Sequence, residues 1–568
     1  MERNKKLAAS IGAVLMVQGT ASDVGKSVIV TALCRIFVQD GLRPAPFKSQ
    51  NMALNSYVTP DGKEIGRAQG TQAEACGIAA TTDMNPVLLK PTGDMHSQIV
   101  VHGRPHQHLS AVKYREEFLP QAKPLVMEAL NRLRQQYDIV VMEGAGSPAE
   151  INLKHRDIVN MNLAGWADAP VILIGDIDRG GVFAFFVGTL ELLEPHERAR
   201  VKGFIINKFR GDVSLLKPGL DWLKQRTGIP VLGVIPFMPD MDIDAEDSVV
   251  LDTYDSARPA LGQAELDIAV IRYPRISNFT DFAPLVAEPD VSVRYVDKAA
   301  DLGRPDVIIL PGTKDTLGDL DYLRRQGLEQ EISGHLQRGT HTQLVGICGG
   351  YQMLGEQLHD PEGVEAMASR WAPGLGWLPL STTFLPGKKT VRVQGTMLDD
   401  SPLRLNMTDR QFLIEGYEIH AGVTIPVSAQ DISVSVASLF AVRSIQDTSR
   451  NAQAEDARAE RDSLGQDMAD QDRQRDLHAG GEVHLEGASR SDGRVFETYL
   501  HGLFHNDDWR RAWLNGIRVS KGLAPLEATI SMAARKEEAF DRLADHVRAH
   551  LHMKKLYEIA GIQPESEA

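Results

Sequence analysis

Residues 344–352 read LVGICGGYQ, and this stretch decides the fold of its half of the chain. The apolar run before Cys348 predicts a buried strand, and the glycines on both sides of the cysteine predict a very tight turn into a helix. Such a turn tolerates little beside it except glycine, and it raises the nucleophile above the sheet. A helix N-terminus next to a thiol also favours the thiolate. The pattern therefore predicts a catalytic Cys348, whereas most free cysteines are inert and buried.

The same stretch resembles G-[IV]-C-x-G-x-Q, the signature of the type I (triad) glutamine amidotransferases. Gly346, Ile347, Cys348, Gly350 and Gln352 supply the match. In that family a thiolate attacks the side-chain amide of glutamine, a glutamyl thioester forms and ammonia is released. The resemblance therefore implies L-glutamine as a substrate and a histidine base farther along the chain.

His501 is the predicted base, because it ends the strand-like run VFETYLH in the chain order that the resemblance implies. Many members of the family carry His-Pro-Glu, in which the glutamate orients the imidazole. Here Gly502 and Leu503 follow the histidine, so the third member of the triad is missing or comes from elsewhere.

A tetrahedral intermediate at the thiol also needs hydrogen-bond donors for its oxyanion. The loop PGTKD (311–315) follows the apolar run VIIL and offers backbone N–H groups. By resemblance to the PGG-like loop of the family, the two donors are implied to be the N–H groups of Gly312 and Gly349.

Composition sets wider limits on the function. At 568 residues, the chain is long enough for two or more domains, and its 43% hydrophobic and 24% charged residues are typical of globular proteins. A net charge of −15 argues against a nucleic-acid partner. We find no apolar run of about 18 residues, so no membrane partner is expected. Three scattered cysteines suit a reducing, cytoplasmic location rather than a disulfide framework.

The N-terminal half carries a second chemical signature. The strand-like AVLMVQ (13–18) runs into the loop GTASDVGKS (19–27) and then into a helical pattern. Gly25, Lys26 and Ser27 form the tail of a P-loop, in which backbone N–H groups cradle phosphates, the lysine reaches them and the serine binds Mg²⁺. The first glycine lies one residue early, which leaves Thr20 in its place.

This loop resembles GT-x-x-x-VGK[TS] of the dethiobiotin synthetase-like branch of P-loop enzymes. That branch converts carboxylates to acyl phosphates, so the resemblance implies ATP and Mg²⁺. We expect Thr20 and Asp23 to contribute to the ATP site together with the tail residues.

Further apolar runs end in polar residues, and their spacing predicts a parallel sheet whose ligands lie at the carboxyl ends of the strands. Glu143 matches the acid that holds Mg²⁺ in the resembled branch. Asp176 is predicted to be a metal or water ligand, or else a helix cap. Asn207, in an Asn-Lys dipeptide, resembles a residue that contacts the nucleotide in related folds.

The segment 46–104 contains Lys48 and Lys90, each beside amide side chains or a proline turn. We predict that these lysines contact phosphate or carboxylate. The alternative is that they are ordinary surface lysines.

The sequence resembles the cobyric acid synthase family once these motifs are taken together. The shared segments are KSQNMALNSYVT, NPVLLKP, DIVNMNLA, GDIDRGGVFA and GYEIHAG, in this order around the P-loop and the Cys348 turn. That family amidates the b, d, e and g carboxylates of adenosylcobyrinic acid a,c-diamide, with glutamine and ATP. Its branch of amidotransferases has Gly-Leu after the histidine and lacks the His-Pro-Glu glutamate.

Two alternatives stay open at this stage. Cobyrinic acid a,c-diamide synthase has the same two-domain plan and differs in the corrinoid that is amidated. From another class, a P-loop ATPase switch of the partitioning type would dimerise with nucleotide and show no glutaminase activity.

The predicted fold is α/β, with two doubly wound and mostly parallel sheets: a P-loop domain like dethiobiotin synthetase, then a type I amidotransferase-like domain. The predicted boundaries are 11–236 for the P-loop domain, 237–265 for a linker, 266–508 for the amidotransferase domain and 509–568 for a C-terminal helical segment. Residues 443–490 are polar and predicted to be a disordered insertion.

Overall fold

The computed structural model describes residues 11–93, 96–239, 241–244, 264–338, 341–365, 369–407, 410–427, 436–445, 483–527 and 529–563. Most of the predicted linker 237–265 and of the predicted insertion 443–490 lies outside the described residues. The chain divides into two compact units. The P-loop unit takes its residues from Met1–Ala53, Glu64–Glu246 and Ala533–Ala568, and the Cys348 unit takes its residues from Leu54–Lys63 and Asp247–Met532.

The first half of the chain alternates strands and helices, as the sequence predicts. The strands are β1 (Ala13–Gly19), β2 (Pro44–Phe47), β3 (Gln50–Met52), β4 (Ser56–Val58), β5 (Glu64–Gly66), β6 (Val87–Gly93), β7 (His96–Val101), β8 (Arg104–Ser110), β9 (Ile139–Glu143), β10 (Val171–Asp176), β11 (Val201–Phe209) and β12 (Val231–Pro236). The helices are α1 (Lys26–Gln39), α2 (Arg67–Ala75), α3 (Ala111–Lys113), α4 (Leu119–Gln136), α5 (Met161–Ala167), α6 (Val182–Leu192), α7 (Pro195–Arg198) and α8 (Val213–Thr227).

The central sheet of the P-loop unit has the strand order β12-β11-β10-β1-β9-β2, and all of these neighbours are parallel. Its strands are almost wholly buried, because a parallel sheet is covered on both faces. The carboxyl ends of β1, β9 and β10 are adjacent, so the residues that follow them share one edge. A smaller sheet, β3-β6-β7-β8, is formed by the segment that carries Lys90.

The second half of the chain contains the strands β13 (Leu266–Ile271), β14 (Val291–Val296), β15 (Val307–Leu310), β16 (Gln343–Ile347), β17 (Gln357–Asp360), β18 (Arg370–Pro373), β19 (Leu380–Met397), β20 (Leu413–Pro426), β21 (Val436–Ser444), β22 (His484–Arg490), β23 (Val495–Thr498) and β24 (Leu500–His501). Its helices are α9 (Ala283–Ala287), α10 (Thr316–Arg325), α11 (Leu328–Gln337), α12 (Gly349–Leu354), α13 (Asp507–Ser520), α14 (Met532–His550) and α15 (Met553–Ala560).

The sheet of the Cys348 unit is parallel at one end and largely antiparallel at the other. Strands β14, β13, β15, β16 and β23 are parallel neighbours. The sheet then continues through β22, β21 and β19, which pair in antiparallel fashion. The α/β class with mostly parallel sheets is confirmed, and the antiparallel extension is a feature that the apolar runs did not reveal.

The C-terminal helices divide between the two units. Helix α13 belongs to the Cys348 unit, where its buried Arg510 contacts Glu288 at 2.7 Å. Nearly all of α14 and the whole of α15 belong to the P-loop unit. There Leu543 and Val547 pack in the same core as Phe37 of α1. No helix among the described residues combines the length and the apolar character that a membrane span requires.

Candidate functional site

Cys348 occupies a strained turn between β16 and α12. Its backbone has φ 53° and ψ −107°, a conformation that few residues other than glycine adopt. The glycines beside it are required by packing. A Cβ on Gly346 would lie 2.6 Å from Leu354 Cδ1, and a Cβ on Gly350 would lie 1.9 Å from the carbonyl oxygen of Leu310. The sequence therefore forms the tight strand-to-helix turn because a side chain at either position would collide with the neighbouring strand or helix.

His501 lies beside the thiol, at the end of β24. The Cys348 thiol donates to the carbonyl of Ile419 at 3.6 Å and is close enough to the imidazole to raise its pKa, and His501 Nδ1 lies 2.6 Å from Asp281 Oδ2. The second oxygen of Asp281 accepts the backbone N–H of Gly502 at 3.0 Å. Burial alone would lower the pKa of His501, but the charge and hydrogen bond of Asp281, with the Cys348 thiol, raise this pKa to about 10. The imidazole is thus held as a cation next to the sulfur.

Asp281 is the residue that sequence reasoning missed. It lies in a short 3₁₀ turn, Phe279–Phe282, that follows β13. Asp281 is 220 residues before His501 in the chain. The segment NFTDF contains no local pattern that marks the aspartate as functional. Asp281 therefore contacts the imidazole from an element that is remote from His501 in the chain.

The loop Pro311–Lys314 lies against the Cys348 turn. The backbone N–H of Gly350 donates to the carbonyl of Pro311 at 3.2 Å. A Cβ on Gly349 would lie 2.6 Å from Thr313 Cγ2, and a Cβ on Gly312 would lie 3.1 Å from His501 Cε1. The structure therefore brings both predicted oxyanion donors, Gly312 and Gly349, next to the thiol and its base.

Gln352, the last residue of the predicted signature, braces the site. Its amide nitrogen donates to the carbonyl of Ala421 at 2.9 Å, and its amide oxygen accepts from the Thr316 hydroxyl at 3.1 Å. Since Ala421 is on β20 and Thr316 is the first residue of α10, the side chain joins two elements around α12.

In the P-loop unit, the loop between β1 and α1 has the geometry expected for phosphate binding. Gly25 has φ 94°, and α1 starts at Lys26 directly after it. The ammonium of Lys26 donates to the carbonyls of Ala21 at 3.0 Å and Gly146 at 3.2 Å. It therefore bridges the P-loop and the loop that follows β9.

Asn207 and Lys208 hold the loop from the end of β11. The Asn207 amide donates to the carbonyl of Val24 at 2.9 Å. The Lys208 ammonium donates to the carbonyl of Asp23 at 2.6 Å and contacts Asp176 at 2.9 Å. Asn207 thus lies at the P-loop, as predicted, and its amide contacts the loop backbone. Asp176 is paired with a lysine and accepts the backbone N–H of Asp178 at 2.8 Å.

Glu143 is the centre of the charged cluster at this edge. One of its oxygens accepts from the Ser27 hydroxyl at 2.8 Å and from the Lys48 ammonium at 3.0 Å. The other accepts from the Gln72 amide at 2.7 Å. The Glu143 carboxylate that makes these three contacts is fully buried. The hydroxyl of Ser27 and the carboxylate of Glu143 are oxygen donors of the kind that Mg²⁺ prefers, and they adjoin each other, so these residues fit the ion.

Lys90 lies elsewhere in the P-loop unit. It is on β6 of the smaller sheet, and it forms a buried ion pair with Glu64. Thr20 lies at the end of β1, where its backbone N–H donates to the carbonyl of Ile174 at 2.9 Å. The structure therefore gathers Lys26, Ser27, Lys48 and Glu143 in one cluster, whereas Lys90 of the smaller sheet pairs with Glu64.

Comparison with known proteins finds a matching family in each half of the chain. Residues 15–250 match the family described as CobQ/CobB/MinD/ParA nucleotide binding domain. Residues 267–509 match the CobB/CobQ-like glutamine amidotransferase domain. A cobyric acid synthase of Geobacillus sp. (strain WCH70) is 49% identical over 544 residues, which cover 96% of this chain and 97% of that protein. The chain belongs to the cobyric acid synthase family.

Other relatives agree across the same length. A cobyric acid synthase of Dehalococcoides mccartyi (strain CBDB1) is 48% identical over 545 residues, covering 96% of this chain and 98% of that protein. The alignment with each of these two relatives covers 96% of this chain and therefore includes both matched domains. The sequence-based assignment to this family is confirmed.

Proposed function

We propose that the chain amidates the b, d, e and g carboxylates of adenosylcobyrinic acid a,c-diamide to give adenosylcobyric acid, using ATP and L-glutamine. The observation that carries the proposal is the 49% identity to a cobyric acid synthase over nearly the whole of both chains. The two assembled clusters, one at Cys348 and one at Glu143, supply the two chemistries that this reaction needs. The same similarity favours this activity over cobyrinic acid a,c-diamide synthase, and the Cys348 cluster disfavours a partitioning ATPase.

The Cys348 cluster accounts for release of ammonia. The thiolate attacks the amide carbon of glutamine, and the N–H groups of Gly312 and Gly349 stabilise the negative oxygen. The imidazolium of His501 gives its proton to the departing ammonia as the C–N bond breaks. Water then attacks the thioester, loses a proton to His501 and releases glutamate, which restores the thiolate. Asp281 keeps the imidazole oriented and stabilises its cation throughout.

The P-loop cluster accounts for activation of the corrinoid carboxylate. ATP, when bound, supplies the phosphoryl group that turns the carboxylate into an acyl phosphate, and Mg²⁺ neutralises the phosphates. Lys26 is placed to bind the phosphates, while Ser27 and Glu143 would hold the ion. Lys48 and Gln72 orient Glu143. Ammonia then displaces phosphate from the acyl carbon, which forms the amide.

The cytoplasm is the compartment that we propose for this reaction. Cys34, Cys76 and Cys348 are all free thiols in the structure, and Cys348 must remain reduced to act as a nucleophile.

Mass spectrometry of the corrinoid product tests the proposal. Full-length protein is incubated with the a,c-diamide, ATP, Mg²⁺ and glutamine, with a matched reaction that lacks ATP. We expect four successive exchanges of –OH for –NH₂ in the complete reaction and none in the control. Amidation of cobyrinic acid at its a and c positions, with no change to the a,c-diamide, would overturn the proposal and support the related synthase.

A further inference from the structure

The segment Leu54–Lys63 belongs to the Cys348 unit, although the residues on both sides of it belong to the P-loop unit. It is anchored on β19. The Arg392 guanidinium donates to the carbonyl of Val58 at 3.0 Å and to the Tyr57 hydroxyl at 3.2 Å. A segment from the N-terminal half of the chain is therefore an integral part of the unit that contains the thiol.

This segment contacts the histidine base through one intermediate residue. The backbone N–H of Ser56 donates to the side-chain oxygen of Asn278 at 2.8 Å, in a buried environment. The amide nitrogen of Asn278 lies 3.4 Å from His501 Nδ1 and 3.5 Å from Nε2. The amide nitrogen is thus nearly equidistant from the two ring nitrogens, and Nδ1 is already bonded to Asp281.

Both the backbone conformation and the surroundings of Asn278 are constrained. Its backbone is left-handed, with φ 53° and ψ 38°, and the residue is 3% exposed. Asparagine is one of the few residues other than glycine that tolerates this conformation. The ring of Tyr417 also lies parallel to the imidazole, with centroids 5.2 Å apart and an angle of 15° between planes. Asn278, Tyr417 and Asp281 together leave the imidazole little freedom to tilt.

We propose that Asn278 is a positioning residue for His501 and that the backbone N–H of Ser56 sets the orientation of its amide. With its oxygen bound to that N–H, the amide keeps its nitrogen beside the two ring nitrogens of His501. This inference rests on the proposed function, in which His501 is the base.

The first test removes the amide without straining the backbone. Glycine accepts a positive φ freely, so Asn278→Gly deletes only the side chain. We expect the kcat of glutamine hydrolysis to fall about 10- to 100-fold, with little change in KM, because misplacement of a reacting group is costly. Lys63→Ala is the matched control, since it removes only the exposed ion pair with Asp61, 2.8 Å long, from the same segment.

The second test asks whether Ser56 acts through Asn278. The kcat of glutamine hydrolysis is measured by glutamate release in Ser56→Pro, which lacks the N–H donor, and in a double variant that also carries Asn278→Gly. We expect Ser56→Pro to lower kcat and Lys63→Ala to leave it unchanged. If Ser56 and Asn278 act through one contact, the kcat of the double variant should equal that of the more affected single variant.

The outcomes separate this inference from the function on which it rests. A wild-type kcat in Asn278→Gly would overturn the inference. Glutamine hydrolysis that survives in Cys348→Ala would instead overturn the proposed function. Thermal unfolding of each variant shows whether the Cys348 unit is folded, so a folding failure in Ser56→Pro is recognised and Asn278→Gly still decides.

Discussion

The Cys348 site and the P-loop site both lie at the carboxyl ends of parallel strands, but their charged groups are partnered in different ways. At Cys348, the groups predicted to react lie next to one another: His501 contacts Asp281 at 2.6 Å, and the Cys348 thiol is close enough to raise the pKa of the imidazole. At the P-loop, the cations are bound by the protein's own acceptors. Lys26 donates to two backbone carbonyls, and Lys48 contacts Glu143.

This difference has a physical consequence for each half of the reaction. Glutamine has only to enter an arrangement in which base and nucleophile already meet, which is the condition for electrostatic preorganisation. Nucleotide and metal must instead exchange contacts with Lys26 and Glu143 as they bind. We therefore expect the Cys348 site to depend mainly on the geometry of its own residues, and the P-loop site to depend mainly on the concentrations of its ligands.

The largest effect is expected at Asp281, because it holds both the orientation and the charge of the base. Asp281→Asn should lower the kcat of glutamine hydrolysis by up to about 10⁴-fold, as the same change does in the Ser-His-Asp triad. Steady-state release of glutamate measures this change. Amidation with ammonia should be unaffected, and Asp301→Asn, at an exposed position of the same unit, should behave as the wild type. Near-normal hydrolysis in Asp281→Asn would remove Asp281 from the triad.

A smaller effect is expected at Glu143, and it should appear as a change in metal dependence. Glu143→Gln removes the negative charge beside Ser27, so the Mg²⁺ concentration that gives half-maximal amidation should rise about tenfold or more. A titration of Mg²⁺ with ammonia as the nitrogen source measures the metal dependence of amidation without any contribution from glutamine hydrolysis. Asp176→Asn is the comparison, because the contacts of Asp176 are with Lys208 and the Asp178 backbone. A stronger effect of Asp176→Asn would transfer the metal-binding role to Asp176.

The smallest effect is a shift in the pH profile of glutamine hydrolysis. The pKa of His501 is raised to about 10, so the imidazolium persists through neutral pH and is lost only as the pH rises through that value. The alkaline limb of kcat/KM should therefore lie near pH 10 in the wild type. Asp281→Asn removes the cause of the raised pKa, and the limb should move to lower pH. An unchanged limb would show that another group controls it.

Sequence reasoning predicted the local geometry where the constraints act between residues that are close in the chain. The Cys348 turn and the P-loop each depend on glycines within a few residues of the functional side chain, and a Cβ at Gly346 or Gly350 would collide with its neighbours. Because such constraints act between neighbouring residues, they are visible in the local amino-acid sequence. The same reasoning predicted the α/β class from apolar runs alone.

It failed where the contacts join distant parts of the chain. Asp281 reaches His501 across 220 residues, and no spacing rule connects them. Each compact unit also combines segments that are far apart in the chain. The segment Leu54–Lys63 and the helices α14 and α15 each belong to a unit other than the one that their position in the chain suggests. Such placement follows from packing between remote elements, which composition and periodicity do not encode.

The central claim is that two chemically separate sites, one for ammonia release and one for carboxylate activation, are both required. The most direct measurement compares Cys348→Ala and Lys26→Ala in amidation of the a,c-diamide with glutamine or with ammonia. The account predicts that Cys348→Ala loses only the glutamine-dependent reaction, while Lys26→Ala loses both. Loss of both reactions in a folded Cys348→Ala protein, or sustained turnover with ammonia in Lys26→Ala, would contradict it.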